Sequence, residues 1–341
     1  MTAPGNGCAV TVVIPTHNRR DLLLRTLDSV LRQTGVELEI VVVDDGGTDG
    51  TADAVRGLAL GGVRVIRHER SRGVSGARNA GLAAARTPWV AFVDDDDLWA
   101  PDKLQAQLTS ISANEGARWS CVGTVGVNSS LRVTSYSEGP EPGDVFGQLL
   151  QRNMIPGGGS GVLIDVDLAR EVGGYDEQIS ILADWDLYLR LSQRSPIASV
   201  RRPLLAYYVH SDSMYHNPAG VVRELAYLED KHRDLPGAGQ FRFHRSYWFL
   251  LLARMARRMG DNRAAGALLW TGVRDGGPIA MAQEVFPRLW RRTRYRLSAR
   301  ARLESPGLVR RLRATASVEP WLSQYRSGFA QAAGMRAPDV A

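Results

Sequence analysis

Three short apolar runs, each closed by a polar loop, constrain this chain more than any other feature. Val10–Ile14 is a largely β-branched run that stops at Pro15, Glu39-Ile-Val-Val-Val43 stops at Asp44-Asp45, and Trp89–Val93 stops at four consecutive aspartates, Asp94–Asp97. Apolar runs of this length without polar alternation are strands buried on both faces. After the first run, Leu23, Leu27, Val30 and Leu31 recur at helical spacing and predict a helix over 20–33 that Gly35 ends. After the second, the turn Asp44–Thr51 leads into a helix reaching Gly57, with Thr48 or Asp49 as its cap, and then a third strand at Val63–Ile66. Small residues from Ser75 to Ala85 form a further helix, and Pro101 suits the first turn of another whose Leu104, Leu108 and Ile111 share a face. Repeated strand–helix–strand units need right-handed crossovers between parallel strands, so a mostly parallel sheet flanked by helices is expected. Ligands of such sheets bind beyond the carboxyl ends of the strands. Pro15–Arg19, Asp44-Asp45 and Asp94–Asp97 all fall there.

The rest of the chain is read more coarsely. Residues 1–115 carry the regular alternation, 116–220 are irregular, and 221–341 are helical and Arg-rich. Gly157–Gly161 is expected to be flexible, Val162–Ile164 to be a strand, and Asp184–Gln193 a helix. With 44% hydrophobic residues the chain can bury a sizeable core. Only Cys8 and Cys121 are available, which excludes a disulfide framework and a cysteine metal site and points to a reducing, cytoplasmic setting. The longest uncharged apolar run, Trp248–Ala253, is far short of the roughly 20 residues that span a bilayer, and the N-terminus has no secretion pattern. The formal charge of +6 conceals an asymmetry, because residues 241–313 hold 17 arginines against four acids, a net of +13. That basic region is either a solvated helix face or a contact for an anionic partner, with the inner face of a membrane preferred to nucleic acid. Trp248–Leu252 and Leu268-Leu-Trp270 there could cover an acceptor, dimerise or meet a membrane surface.

Four adjacent aspartates at the mouth of a sheet repel one another unless a cation sits among them. Carboxylate oxygens are hard ligands suited to Mg2+ or Mn2+, which take one or two protein carboxylates together with substrate phosphates. The competing reading is an acidic turn capping the next helix. Asp44 and Asp45 either accept from a base or ribose or simply end a strand. Arg78 near a helix start suits a phosphate. His17, Asn18 and Arg19 line the same edge, with Asn18 equally a helix cap.

Together these segments resemble the nucleotide-sugar-dependent glycosyltransferases of family 2. The resemblance rests on the ordered set Val-Ile-Pro-Thr-His-Asn-Arg (13–19), Val-Val-Asp-Asp-Gly-Gly-Thr-Asp-Gly-Thr (42–51), Arg-Gly-Val-Ser-Gly-Ala-Arg-Asn-Ala-Gly (72–81) and Phe-Val-Asp-Asp-Asp-Asp (92–97), and runs to about His210. It implies a GT-A fold, a nucleotide-diphospho-sugar transferase fold with a Rossmann-like sheet, in which 1–115 bind the donor and 116–220 the acceptor, followed by a helical C-terminal extension. It also implies that Pro15, His17 and Arg19 border the nucleotide, Asp44 meets the base, Arg78 approaches the nucleotide and Asp95 lies near the ribose or sugar. Asp96 would hold the metal, in a register uncertain by one, with His210 a second candidate. Ala183-Asp-Trp-Asp-Leu-Tyr-Leu-Arg190 is similar to the family's Glu-Asp-x-x-Leu segment, which makes Asp184 the candidate general base, although capping is its ordinary alternative. Ala183 departs from that pattern, where an acid is usual. Trp185 and Tyr188 are read as core.

The expected reaction is transfer of a sugar from a uridine or thymidine diphosphate donor to a hydroxyl of a glycan, lipid-linked or small-molecule acceptor, with inversion and Mg2+ or Mn2+ assistance; a homo-oligomer is compatible with it. A catalytically degenerate sugar-nucleotide scaffold partnering another transferase is the alternative that Ala183 suggests. A nicotinamide dehydrogenase would need a Gly-x-Gly-x-x-Gly turn after the first strand, and Pro15–Arg19 contradicts that.

Overall fold

The computed structural model describes residues 9–209, 217–235, 245–258, 260–276 and 306–326. The regular alternation forms β1 (Ala9–Thr16), α1 (Arg20–Leu31), β2 (Glu37–Asp44), α2 (Thr51–Gly57), β3 (Val63–Arg67), α3 (Gly73–Ala84), β4 (Trp89–Phe92), the two-residue β5 (Leu98–Trp99) and α4 (Lys103–Ser112). There follow β6 (Trp119–Val127), β7 (Val133–Ser137), a single turn α5 (Phe146–Leu149), β8 (Val162–Asp165), α6 (Val166–Glu171), α7 (Ala183–Ser192) and β9 (Ile197–Tyr208). The described C-terminal elements are helical: α8 (Pro218–Lys231), α9 (Arg245–Arg258), α10 (Asn262–Gly276) and α11 (Pro306–Leu322).

One mixed sheet runs β3-β2-β1-β4-β8-β6-β9-β5, with β7 paired to β6. Its first four strands are parallel, as the crossovers require, whereas β8 enters antiparallel to both β4 and β6. β1 does not stop at Pro15 but continues to Thr16, opposite Asp44 of β2. Pro15 is tolerated in this central strand because β4 pairs only as far as Val13, so the missing N–H has no partner to lose on that side. α3 lies close on β1: a Cβ at Gly81 would stand 2.2 Å from Val13 Cγ1, so only glycine permits this approach.

The chain divides into two compact units, one of Met1–Phe146, Met154–His210 and Arg313–Ala341, the other of Gly147–Asn153 and Ser211–Leu312. In the first, the end of α11 returns to the core through Ala314, Val318, Trp321 and Leu322, with Tyr325 beyond it, and Arg25 Nη1 donates to the Tyr325 carbonyl at 3.3 Å. In the second, Trp248, Phe249, Leu250, Leu252 and Ala253 of α9 are buried. Each such large side chain contributes about 1.5–3 kcal/mol, so the longest apolar run of the chain is core. Among the described residues, no helix is long and apolar enough to cross a membrane.

Candidate active site

The ends of β1, β2 and β4 bring the three polar loops to one edge of the sheet, as the topology demands. The first two loops are tied together. His17 Nδ1 lies 2.8 Å from the Asp45 carbonyl, which can only accept, so Nδ1 carries the proton. Asn18 does not cap α1; in a left-handed conformation (φ 55°) it turns its Oδ1 to the Thr48 amide at 2.7 Å. Asp49 accepts from the Thr51 amide at 3.0 Å and from the Arg20 amide at 3.0 Å, joining the starts of α2 and α1, and it precedes the N-cap, which is Gly50.

Asp44 is buried and closes its own turn, its Oδ1 accepting from the Gly47 amide at 2.9 Å. Asp45 organises the next loop. Its carboxylate accepts from Ser71 Oγ (2.6 Å), His68 Nδ1 (2.7 Å), the Arg72 amide (2.9 Å) and the Gly73 amide (2.9 Å). Burial pushes its pKa up, but these donors, Ser71 foremost, outweigh burial and hold it below the ordinary carboxylate range. Sequence reasoning gave Asp45 no such role, because its partners lie more than twenty residues downstream; the adjacent acidic pair was the only hint.

The four aspartates divide their work. Asp94 Oδ1 accepts from Arg78 Nη2 at 2.6 Å. Asp95 Oδ2 accepts from Thr16 Oγ1 at 2.7 Å, and Arg19 Nη1 reaches Asp95 Oδ1 at 3.3 Å and Asp96 Oδ2 at 2.8 Å. Asp97 is fully buried, its Oδ1 accepting from the Tyr208 amide at 3.0 Å while Oδ2 has no hydrogen-bond partner. Burial and the Asp96 charge push Asp95 up to about 7, and the same two causes push Asp97 well above the ordinary range. Among the described residues, no three metal-ligating side chains converge into a closed cage. Asp95 and Asp96 carry hard oxygens of the kind that suits an ion taking only one or two protein carboxylates, and here both are paired with Arg19. His210 lies outside the described residues.

Arg78 holds the centre. It is buried on α3, its guanidinium carbon 4.9 Å from the Tyr175 ring centre, and Nη1 donates to Asp184 Oδ1 at 3.0 Å while Nη2 engages Asp94. Burial lowers its affinity for the proton, yet Asp184 and Asp94 together raise its pKa well above the ordinary value. Asp184 is the second residue of α7, whose N-cap is Leu182, so it is not the cap. Ala183 beside it is fully buried, so a side chain there points away from solvent. Trp185 and Tyr188 are core, as expected, and Tyr188 stacks on Trp119 with ring centres 5.8 Å apart.

The Gly157–Gly161 segment is not slack. It forms a 3₁₀ turn over Gly158–Gly161, pinned by the Tyr188 hydroxyl donating to the Gly158 carbonyl (2.7 Å), by Trp99 Nε1 donating to the Ser160 carbonyl (3.0 Å), and by Ser160 Oγ accepting from the Asp94 amide (3.0 Å). Its glycines make room for the ion pair. A Cβ at Gly159 would lie 2.9 Å from Arg78 Nη2 and 3.1 Å from Asp184 Oδ1, and one at Gly158 would lie 3.0 Å from Asp184 Oδ2. Thr16, Ser160 and Tyr175 carried no local signal; they matter only because the fold brings them here.

A parallel β-α sheet with an acidic strand end, extended by antiparallel strands, is the GT-A glycosyltransferase fold. Likeness to solved structures agrees: Staphylococcus aureus TarS 1–349 in complex with UDP matches at TM-score 0.52 and 18% identity over 78% of this chain and 91% of that one. The mannosyltransferase PcManGT of Pyrobaculum calidifontis, in complex with GDP-Man and Mn2+, matches at TM-score 0.53 and 20% identity over 92% of this chain and 87% of that one. Residues 11–161 match the model of glycosyl transferase family 2. Among curated relatives, the succinoglycan biosynthesis protein ExoO of Rhizobium meliloti is 42% identical over 104 residues, 30% of each chain. The Escherichia coli UDP-Glc:alpha-D-GlcNAc-diphosphoundecaprenol beta-1,3-glucosyltransferase WfaP is 33% identical over 99 residues, 29% of this chain and 39% of that protein. The matched segments thus span well under half the length of these relatives.

Proposed function

We propose that this protein transfers a sugar from a nucleotide-diphospho-sugar to an acceptor hydroxyl with inversion at the anomeric carbon. The observation that carries the proposal is the Arg78 bridge, which joins Asp184 on α7 to Asp94 at the end of β4. It sets a carboxylate at the edge of the donor-side acid run. In the reaction the acceptor oxygen bonds the anomeric carbon as the bond to the diphosphate breaks, and the acceptor proton passes to Asp184. Arg78 fixes the direction of that carboxylate through Oδ1, and Gly158, where a Cβ would lie 3.0 Å from Oδ2, brings no side chain against it. General-base assistance of this kind contributes roughly 10²- to 10⁴-fold.

Asp44, Pro15, His17, Arg19 and Asp95 line the donor side in this account, with Arg78 near the diphosphate. Asp96, with Asp95, would hold Mg2+ or Mn2+, and such an ion, when bound, supplies positive charge against the departing diphosphate. UDP or dTDP is the favoured nucleotide, supported by the UDP complex of TarS and the UDP-Glc specificity in WfaP's name; the Mn2+ in the PcManGT complex supports the metal. The protein acts at the cytoplasmic side. Asp184→Asn is the test: transfer is expected to fall at least 10²-fold with donor affinity kept, and full turnover by this variant would remove Asp184 from the mechanism.

A further inference from the structure

α10 carries a face that the interior of its own unit does not take up. α9 and α10 pack together, and Trp248, Phe249, Leu250, Leu252 and Ala253 of α9 are buried. Leu269, Trp270 and Val273 of α10 are nevertheless 41%, 64% and 39% exposed. Arg263, Ala267, Trp270 and Arg274 follow at steps of three or four residues, so they share one side of the helix, and all four are exposed. The Arg274 guanidinium lies over the Trp270 ring, 5.1 Å from its centre. On α9, Arg254 and Arg257 are exposed as well.

We propose that this face binds an anionic lipid bilayer, with Trp270, Leu269 and Val273 entering the boundary between headgroups and acyl chains while Arg263 and Arg274 meet lipid phosphates. Durable membrane association needs two signals. The exposed apolar stripe is one, and the exposed arginines of α9 and α10, Arg254, Arg257, Arg263 and Arg274, are the other. Tryptophan is the side chain best suited to that boundary, apolar in body with one N–H donor at its edge. A nucleic acid would use the arginines but has no use for an exposed Leu269 and Val273. A second copy of the chain would bring like-charged arginines together across a two-fold pairing of this face. The inference stands apart from the transfer reaction and does not need it.

The test is sedimentation of the full-length protein with vesicles of phosphatidylcholine alone and of equal parts phosphatidylcholine and phosphatidylglycerol. Binding to the anionic vesicles, weakening as salt is raised, is expected. Trp270→Ser with Val273→Ser should abolish it at unchanged helix content by circular dichroism. Arg263→Gln with Arg274→Gln should weaken it about 25-fold, since each arginine at an anionic surface is worth about fivefold. Brominated acyl chains should quench fluorescence in the native protein more than in Trp270→Phe. Absence of vesicle binding at low salt overturns the proposal, as does binding indifferent to Trp270 and Val273. Tight binding of duplex or single-stranded DNA that competes the vesicles off and ignores the Val273 change would reassign the face to nucleic acid. Loss of a dimer in the Trp270 and Val273 variant, without any vesicle binding, would reassign it to self-association.

Discussion

Removing Arg78 should damage stability and chemistry together, and the size of each effect follows from its surroundings. Its side chain is 3% exposed and bridges Asp94, 31% exposed, and Asp184, 19% exposed. Deleting one member of a buried ionic cluster costs about 3–5 kcal/mol, because the charges left behind lose their partner. Here both carboxylates keep some access to water and can rehydrate in part, which puts Arg78→Ala near the lower end, about 3 kcal/mol. Lysine keeps the charge but not the planar fork that reaches both acids at once, so Arg78→Lys should fall between alanine and the native protein. Urea unfolding followed by tryptophan fluorescence measures this, and a cycle of Arg78→Ala with Asp184→Asn should give a coupling of about 1–3 kcal/mol. Transfer should drop by about 10²-fold, the usual cost of a base displaced by roughly an ångström. If Arg78→Ala unfolds within about 0.5 kcal/mol of the native protein, as an ordinary surface substitution would, the bridge is not a structural element and the reasoning fails.

Asp45→Asn should cost about 2–4 kcal/mol, since hydrogen bonds to a charged group are each worth about 1.5–3 kcal/mol and the amide can serve only some of the four donors. The pH dependence has a definite sign: a carboxylate held below its unfolded value of about 3.9 stabilises fully above that value and loses the contribution as pH falls through the lower folded pKa. The native protein should therefore lose stability on acidification where Asp45→Asn does so less, which urea midpoints across that range would reveal. Gly159→Ala should leave the fold intact but lower kcat by at least about tenfold, because the new methyl would crowd Arg78 Nη2 and Asp184 Oδ1; unchanged kcat would mean that the pair tolerates displacement.

Much of the site edge was legible in the chain because strand ends are marked locally. Val10–Ile14, Glu39–Val43 and Trp89–Val93 announce themselves by unbroken apolar composition, and a parallel topology then aligns whatever follows them. The antiparallel entry of β8 was not legible, since its four residues look like any buried strand and partner choice depends on β4 and β6 far away. Nor was the Arg78 bridge, which spans 106 residues to Asp184. An arginine near a helix start reads as a phosphate contact, and its pairing with Asp94 and Asp184 emerges only when the fold sets the Gly158–Gly161 turn and Tyr175 against it. Asp184 illustrates the opposite case: an acid in the first turn of a helix carries the same local pattern whether it caps or faces a site. The exposed face of α10 was visible only as a sequence of apolar letters, because burial of Trp248–Ala253 and exposure of Leu269-Trp270 are decided by packing.

Titration calorimetry of the folded protein with UDP, with and without Mn2+, tests the central claim most directly. Metal-assisted uptake that weakens at least about tenfold in Asp96→Ala, as expected when a ligand to the ion is removed, is the predicted result. If neither UDP, dTDP nor GDP binds more tightly with Mn2+ than without it, the acid run at the end of β4 is not a metal and diphosphate site.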